Sequence, residues 1–276
     1  MRKIVALFFS FVAIGMLLCA CDNVEAPGGK IIPASIDVLK IGKADCIIIN
    51  TGNKIVMIDT GEEENIDQIR DFMDEHNYNK VDTLILTHYD KDHIGGAKYI
   101  IEEYGVDTVI ESRASSSSAE YYNYHQFLSQ QGKEPTKLKE DYTFKSDSCV
   151  FKVNVPKKDK YDKKNDNNLS LVISMECGNS KFLFCGDALE LRLAEILEPM
   201  QGEYDVIKLP HHGSYNEAYS EFFGKIKTEN AIITDSKKNP AEERTLSLLA
   251  ELGIEAYETR YGSLHIYTDG QDVTIN

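Results

Sequence analysis

Residues 86–96 read LTHYDKDHIGG and place His88, Asp90, Asp92 and His93 within six positions. Imidazole and carboxylate are the side chains that hold divalent cations. A lone DKDH would be weak evidence, since a charged turn can contain histidine. Two further groups strengthen it: Asp187 follows the apolar run FLFCG, and His211 and His212 follow VIKLP. Strands of one sheet end on a common edge, so three such strand ends can converge. Desolvating so many polar groups is costly without a cation to satisfy them. A divalent cation lowers the pKa of its water towards about 7, so a metal-bound hydroxide is available at neutral pH. The expected reaction is hydrolysis of an ester, amide or phosphodiester. Asp92 is the candidate to orient the nucleophile and His211 to protonate the leaving group.

The elements that must position these residues follow from period and punctuation. IDVLKIGKADCIIINTGNKIVMIDTG reads as three short strands separated by GKAD and NTGNK. Ile66, Ile69, Phe72 and Met73 have helical spacing. VDTLILTH is a buried strand ending at the first cluster, IGGAKYIIEEY a helix leaving it, and VDTVIES another strand. Residues 115–132 read as a helix, with Ser115 to Ser118 as its entry. Residues 156–168 are a charged loop. LSLVISME and KFLFCGD form a hairpin, ALELRLAEIL a helix, YDVIKLP and NAIITDS strands, and PAEERTLSLLAELG a helix with Pro240 near its start. EAYET, SLHIYTD and DVTIN finish as short strands. Both halves thus run strands first, then strands alternating with helices. An α/β (α+β) layered fold follows, with two sheets face to face and helices outside.

Length and composition set the frame. The chain has 276 residues, 42% of them hydrophobic, enough for a sizeable core. Arg2 and Lys3 precede the apolar run IVALFFSFVAIGMLL, which reads as a secretory signal because about 15 apolar residues are too few for a membrane span. The ending LCAC, with Ala20 before Cys21, resembles a bacterial lipobox. That implies cleavage of residues 1–20, lipidation of Cys21, a tether over 21–34 and a hydrolase domain over 35–276. The expected location is extracytoplasmic, as a bacterial cell membrane lipoprotein held by its N-terminal lipid anchor. The plainer alternative is an ordinary cleaved signal. Without the leader, 28 basic face 45 acidic side chains, a net −17. Such a surface disfavours broad nonspecific DNA binding, although a local basic patch can reverse the field at one site. Cys46, Cys149, Cys177 and Cys185 match no dense disulfide or zinc-knuckle spacing, and buried free thiols are expected.

Together these motifs resemble the metallo-β-lactamase superfamily, whose signature is His-x-His-x-Asp-His after a strand. Here it is His88-Tyr89-Asp90-Lys91-Asp92-His93 with Gly95 and Gly96, and IDTG (Asp59, Gly61), FCGD and LPHHGS also match. The resemblance spans roughly residues 35–275 and implies a four-layer αβ/βα sandwich with a metal site on one edge. Aspartate at the third motif position is similar to the hydrolase domain of ComEC-type DNA-uptake proteins. Their DVGQGD opening compares with DVLKIGKAD here, Asp37 to Asp45, with Ala44 in place of glycine. By that resemblance His88 and Asp90 bind one metal, Asp92 and His93 a second, and Asp187 bridges them. His212 completes the second site, with His211 as the alternative or as a contact to substrate.

The chain departs from the pattern in one place. No histidine lies between His125 and His211, where most relatives supply one. The matching position falls at NDNNLS, so Asp166, Asn167 or Asn168, or water, substitutes. One or two divalent ions are expected. The oxygen-rich first site suits manganese or magnesium better than a histidine-rich one would, with zinc or manganese the leading candidates. Lys157, Lys158, Lys160, Lys163 and Lys164 crowd the loop before that position. They either hold a substrate phosphate or form a solvated run paired with Asp159 and Asp162. Tyr121, Tyr122, Tyr124 and Phe127 are read as helix packing rather than a stacking wall, and His76 and His265 as surface or sheet residues. The leading expectation is a metal-dependent phosphodiesterase or nuclease. The alternatives are a hydrolase of small cyclic esters or amides, including lactones and β-lactams, and a metal-stabilised, non-catalytic binding module.

Overall fold

The computed structural model describes residues 32–161 and 166–276. The signal, Cys21 and most of the tether therefore lie outside the described residues, as do Lys163 and Lys164. β1 (Ala34–Val38), β2 (Ile47–Asn50) and β3 (Ile55–Ile58) form an antiparallel meander. α1 (Ile66–Glu75), β4 (Thr83–Leu86), α2 (Lys91–Ile94), α3 (Ala97–Tyr104), β5 (Thr108–Ser112), α4 (Ala119–Gln130) and β6 (Thr136–Leu138) follow. β3 to β6 run parallel, so β4 and β5 end on the same edge.

The second half begins with the antiparallel strands β7 (Tyr142–Ser146), β8 (Cys149–Asn154), β9 (Val172–Cys177) and β10 (Ser180–Phe184). Then come α5 (Glu190–Ile196), β11 (Gly202–Tyr204), β12 (Val206–Lys208), α6 (Tyr219–Lys225), β13 (Ile226–Thr228), β14 (Asn230–Ile233), α7 (Glu243–Leu252) and β15 (Glu255–Glu258). β12, β14 and β15 extend the sheet in parallel from β10, while β11 and β13 pair apart. β16 (Leu264–Thr268) and β17 (Val273–Ile275) cross back and join β1. The first sheet has eight strands and the second seven.

The unbroken apolar strands are explained by burial on both faces. Ile47, Ile49, Val56, Ile58, Ile85 and Ile110 point between the sheets, against Phe151, Ile173, Phe182 and Ile232. Their neighbours Ile48, Met57, Leu84 and Leu86 point outward, under Ile69, Met73, Ile100 and Leu128 of the first helical layer. On the other side Leu183, Ile207 and Ile233 meet Leu193, Phe222 and Leu249. Each such side chain contributes about 1.5–3 kcal/mol by leaving water. The result is the four-layer sandwich expected from the motifs.

Two expectations change. Cys149 and Cys177 are not free thiols: they face one another across β8 and β9, with Cα atoms 4.4 Å apart, and form a disulfide. Strand register, which sequence spacing does not reveal, creates the pair. Cys46 and Cys185 are free and buried, and burial pushes the Cys185 thiol up to about 12. The segments forming β6 to β8, β11, β13 and α6 were not anticipated. β7 is a sheet edge with mostly exposed side chains, so it lacks a buried strand's apolar run. Among the described residues no helix is long and apolar enough to cross a membrane.

Candidate metal centre

The first cluster is held rigidly from behind. Thr87, just past β4, donates its backbone N–H (2.8 Å) and hydroxyl (2.7 Å) to the buried Asp59 carboxylate. The next residues are extended, so His88 and Asp90 share a side while Tyr89 turns inward. Tyr89 is fully buried, and its hydroxyl donates to the Ser112 carbonyl at 2.6 Å. Ser118, which caps α4, also donates to the Tyr89 carbonyl at 3.2 Å. α2 then begins at Asp90 and carries Asp92 and His93. Gly95 and Gly96 are required by close packing: a Cβ on Gly96 would lie 2.4 Å from the Thr60 carbonyl oxygen.

The other two clusters arrive from the second sheet. Asp187 follows β10 through Gly186, and its N–H donates to Ser170 Oγ at 3.2 Å. His211 and His212 follow β12 in the left-handed region, with φ of 48° and 54°. Such backbone costs on the order of 1–3 kcal/mol per residue and marks places where surroundings enforce geometry. Gly213 continues the turn at φ 77°, tight against Ile233 and Ala241.

All of these side chains meet. His93 Nε2 lies 3.3 Å from Asp187 Oδ1, and His212 Nε2 lies 3.3 Å from Asp187 Oδ2. His88 Nε2 is 3.9 Å from Asp187 Oδ2 and 3.7 Å from Asp90 Oδ2. His212 Nε2 is 3.5 Å from Asp92 Oδ2. His88, His93, Asp187 and His212 are buried, whereas the Asp90 and Asp92 side chains are 43% and 23% exposed and face the mouth. His211 is partly exposed, its Nε2 3.9 Å from Asp187 Oδ2.

The buried atoms His88 Nε2, His93 Nε2, His212 Nε2 and Asp187 Oδ1 have no hydrogen-bond partner among the described residues. Their opposite ring nitrogens are all engaged. His88 Nδ1 contacts Thr87 Oγ1 at 3.1 Å, His93 Nδ1 meets Asp59 Oδ2 at 2.7 Å, and His212 Nδ1 meets the Thr234 carbonyl at 3.0 Å. Rings fixed through one nitrogen with the other aimed at a shared point fit divalent-cation binding. The separations suit ligands whose bonds to one ion are about 2 Å long. His88 with His93 and Asp187, and Asp92 with His93 and His212, are groups able to hold an ion.

Electrostatics agrees. Burial alone would raise the Asp187 carboxyl, but His212 and His93 hold it well below the ordinary range. Burial likewise opposes charge on His93, yet Asp187 and Asp59 raise it well above its ordinary value. His212 is raised for the same reason, chiefly by Asp187.

The turn 166–169 lies beside this cluster, since Leu171 N–H donates to the Thr87 carbonyl at 2.8 Å. Asn167 and Asn168 are buried there. The Asn168 side-chain oxygen accepts the Arg192 N–H at 3.1 Å, so that atom serves the start of α5. The Asp166 side chain lies outside the described residues. Lys157, Lys158 and Lys160 are exposed, with Lys158 over the Tyr161 ring, and Asp159 pairs with Arg113. Tyr124 and Phe127 are core, Tyr121 packs edge-on against Tyr89, and Tyr122 is exposed. His265 pairs with Asp37 at 2.7 Å, and exposed His76 stacks on Phe72.

Sequence reasoning gave no role to Lys208 or Thr234, and treated Asp45 and Asp59 only as motif matches. Lys208 and Asp45 are buried and paired behind Asp187, and Asp45 accepts the Thr234 hydroxyl at 2.6 Å. A lysine in the middle of the apolar run VIKLP was the available signal, because an unpaired cation would not be buried there.

Residues 40–233 match the family model described as the metallo-beta-lactamase superfamily. ComE operon protein 3 of Bacillus subtilis is 25% identical over 87% of this chain and 35% of its own length. Recombination protein 2 of Haemophilus influenzae is 26% identical over 74% of this chain and 24% of its own. The chain thus spans about a third or less of these relatives. Among solved structures, Igni18, a metallo hydrolase from Ignicoccus hospitalis, superposes with a TM-score of 0.53 at 15% identity, covering 84% of this chain and 98% of that one. YhfI, a metallo-beta-lactamase fold protein of Bacillus subtilis, gives 0.54 at 10% identity, covering 88% and 100%. With its family model, its four-layer fold and its converging histidines and aspartates, the chain belongs to the metallo-beta-lactamase superfamily.

Proposed function

We propose that this chain is an extracytoplasmic, lipid-anchored, metal-dependent phosphodiester hydrolase. The observation that carries the metal is the set of buried, partnerless atoms on His88, His93, His212 and Asp187, aimed at one another. His88 and Asp90 hold one divalent cation and Asp92, His93 and His212 a second. Asp187 would serve both, because its carboxylate lies 3.9 Å from His88 Nε2 on one side and 3.3 Å from His93 Nε2 and His212 Nε2 on the other. Zinc or manganese, when bound, supplies an acidified water and polarises the phosphoryl oxygen.

The remaining work falls to side chains. Asp92, partly exposed at the mouth, orients the nucleophile. His211 lies below its ordinary value, first through burial, so it enters neutral. It accepts a proton from the attacking water and returns it to the leaving oxygen. The Cys149–Cys177 disulfide and the lipobox-like LCAC support an oxidising, extracytoplasmic setting. The aspartate at position 90 and the curated relatives favour phosphodiesters. The acidic surface, net −15 for the whole chain, favours small neutral esters or lactones as the second reading.

A panel of chromogenic phosphodiester, lactone and cephalosporin substrates, assayed with zinc and with manganese, decides between them. Metal-dependent release from the phosphodiester is expected. Turnover confined to lactone or cephalosporin would replace the substrate assignment, and no turnover anywhere would favour a non-catalytic module.

A further inference from the structure

The rim of the candidate centre is electrically lopsided. On the side of α2, Glu62, Glu63 and Glu64 form the loop packed against Gly95. On the side of the His211–His212 turn, three loops are bonded together. Lys40 N–H donates to Ser263 Oγ at 2.9 Å, joining the loop after β1 to the loop after β15. Asp235 joins the loop after β14 to that same segment, accepting the Arg260 N–H at 3.1 Å. Glu242 N–H donates to the Gly213 carbonyl at 3.2 Å, seating the 235–241 segment on the histidine turn. The loop after β1 reaches the metal loop as well, through Asp45 N–H and the Asp92 carbonyl at 3.1 Å.

These loops carry Lys40, Lys43, Lys237 and Lys238. None of the four has a carboxylate within salt-bridge distance among the described residues. Lysines elsewhere on this acidic surface, such as Lys80, Lys91 and Lys225, sit in ion pairs. The same loops present Tyr261, 72% exposed, the most exposed large hydrophobic side chain described. Lys43 is half-buried and stands two residues before Asp45, whose N–H is bonded to the Asp92 carbonyl and whose carboxylate lies 3.5 Å from His212 Nδ1. Unpaired cations follow a phosphate backbone, and an exposed aromatic ring offers a base a stacking face.

We infer that this rim is a subsite for the single-stranded oligonucleotide flanking the reacting phosphate, with Lys43, Lys237 and Lys238 on its backbone and Tyr261 under a base. The inference rests on the phosphodiesterase reading for its orientation over the metals. The acidic Glu62–Glu64 side turns the strand towards the lysines. It confines nucleic-acid contact to one edge of a protein whose surface otherwise repels polyanions.

The test uses the zinc- or manganese-loaded protein and the triple variant Lys43→Gln/Lys237→Gln/Lys238→Gln, with a short thymidylate oligonucleotide and with bis(4-nitrophenyl) phosphate. The variant should raise KM for the oligonucleotide on the order of tenfold at low salt, and flatten the slope of log(kcat/KM) against log salt by about two. Its constants for the small diester should not change. Tyr261→Ala should raise the oligonucleotide KM about fivefold or more without altering the salt slope. An unchanged oligonucleotide KM and salt slope in the triple variant would overturn the inference. If the wild type hydrolyses neither substrate, the functional reading has failed and the rim is read separately. Salt-dependent anisotropy of a labelled thymidylate strand, lost in the triple variant, would then support it, and absence of binding to the wild type would overturn it.

Discussion

Lys208 donates to Asp45 across 163 residues of sequence, and both side chains are buried behind the candidate centre. The pair ties the loop after β1 in the first sheet to the end of β12 in the second. Burial would raise the Asp45 carboxyl, but Lys208 first, then His212, holds it lowered. Asp45 in turn fixes Thr234, whose carbonyl and hydroxyl meet His212 Nδ1. Lys208 also lies 4.0 Å from Asp187 Oδ1. One buried ion pair thus sets the placement of two candidate ligands.

Removing one partner of such a pair leaves an uncompensated buried charge. Lys208→Met and Asp45→Asn should each destabilise the chain by about 3–5 kcal/mol. The double variant should cost well under the sum of the two, because it buries no lone charge. Urea denaturation of the four proteins measures this. Additive losses would show that the two side chains act independently.

The ring nitrogens opposite the ligand atoms give a second expectation. Asp59→Asn should weaken divalent-cation affinity about 10–100-fold, because it loses the carboxylate that orients His93. Competition against a chromogenic chelator provides the number. Unchanged affinity would mean that the His93 ring is held by packing alone.

Proton linkage follows from the directions of the shifts. His93 and His212 are raised above their ordinary value of about 6.5. Their contribution to the stability of the chelated protein is full below that value and is lost as pH rises through the raised folded-state values. Asp92 and Asp187 are lowered, so theirs is present above the ordinary carboxylate range and lost as pH falls. Metal must displace the imidazole protons, so apparent affinity should rise with pH through neutrality. Calorimetry in buffers of different ionisation enthalpy should record proton release on metal binding. Binding with no release would contradict the raised histidines.

The disulfide joins residues 28 apart in sequence. Reducing it, or replacing Cys149 and Cys177 by serine, should cost about 2–4 kcal/mol. Chemical denaturation with and without reductant checks this. Equal midpoints would show that the bond adds nothing.

Much of the architecture was legible because the strands are buried on both faces. LILT, FLFCG and VIKLP announced themselves as apolar runs, and the ligands stand where those runs stop. The edge strand β7 was not legible, since its exposed side chains give no such run. Register escaped too, and with it the Cys149–Cys177 pair. Asp45, Thr234 and Lys208 are joined only by the stacking of two sheets, so no local spacing could connect them. Asp59 stood in a recognisable IDTG, but its task is set by distances to Thr87 and His93 that exist only in the fold.

The central claim is that the orphaned ring nitrogens and the Asp187 carboxylate hold divalent cations. Elemental analysis of the wild type and of His88→Ala/Asp187→Ala, after reconstitution with zinc or manganese and removal of excess, tests it most directly. Circular dichroism confirms that both are folded. The wild type should retain stoichiometric metal and the double variant should lose it. Full metal in the folded variant, or none in the wild type, would contradict the account.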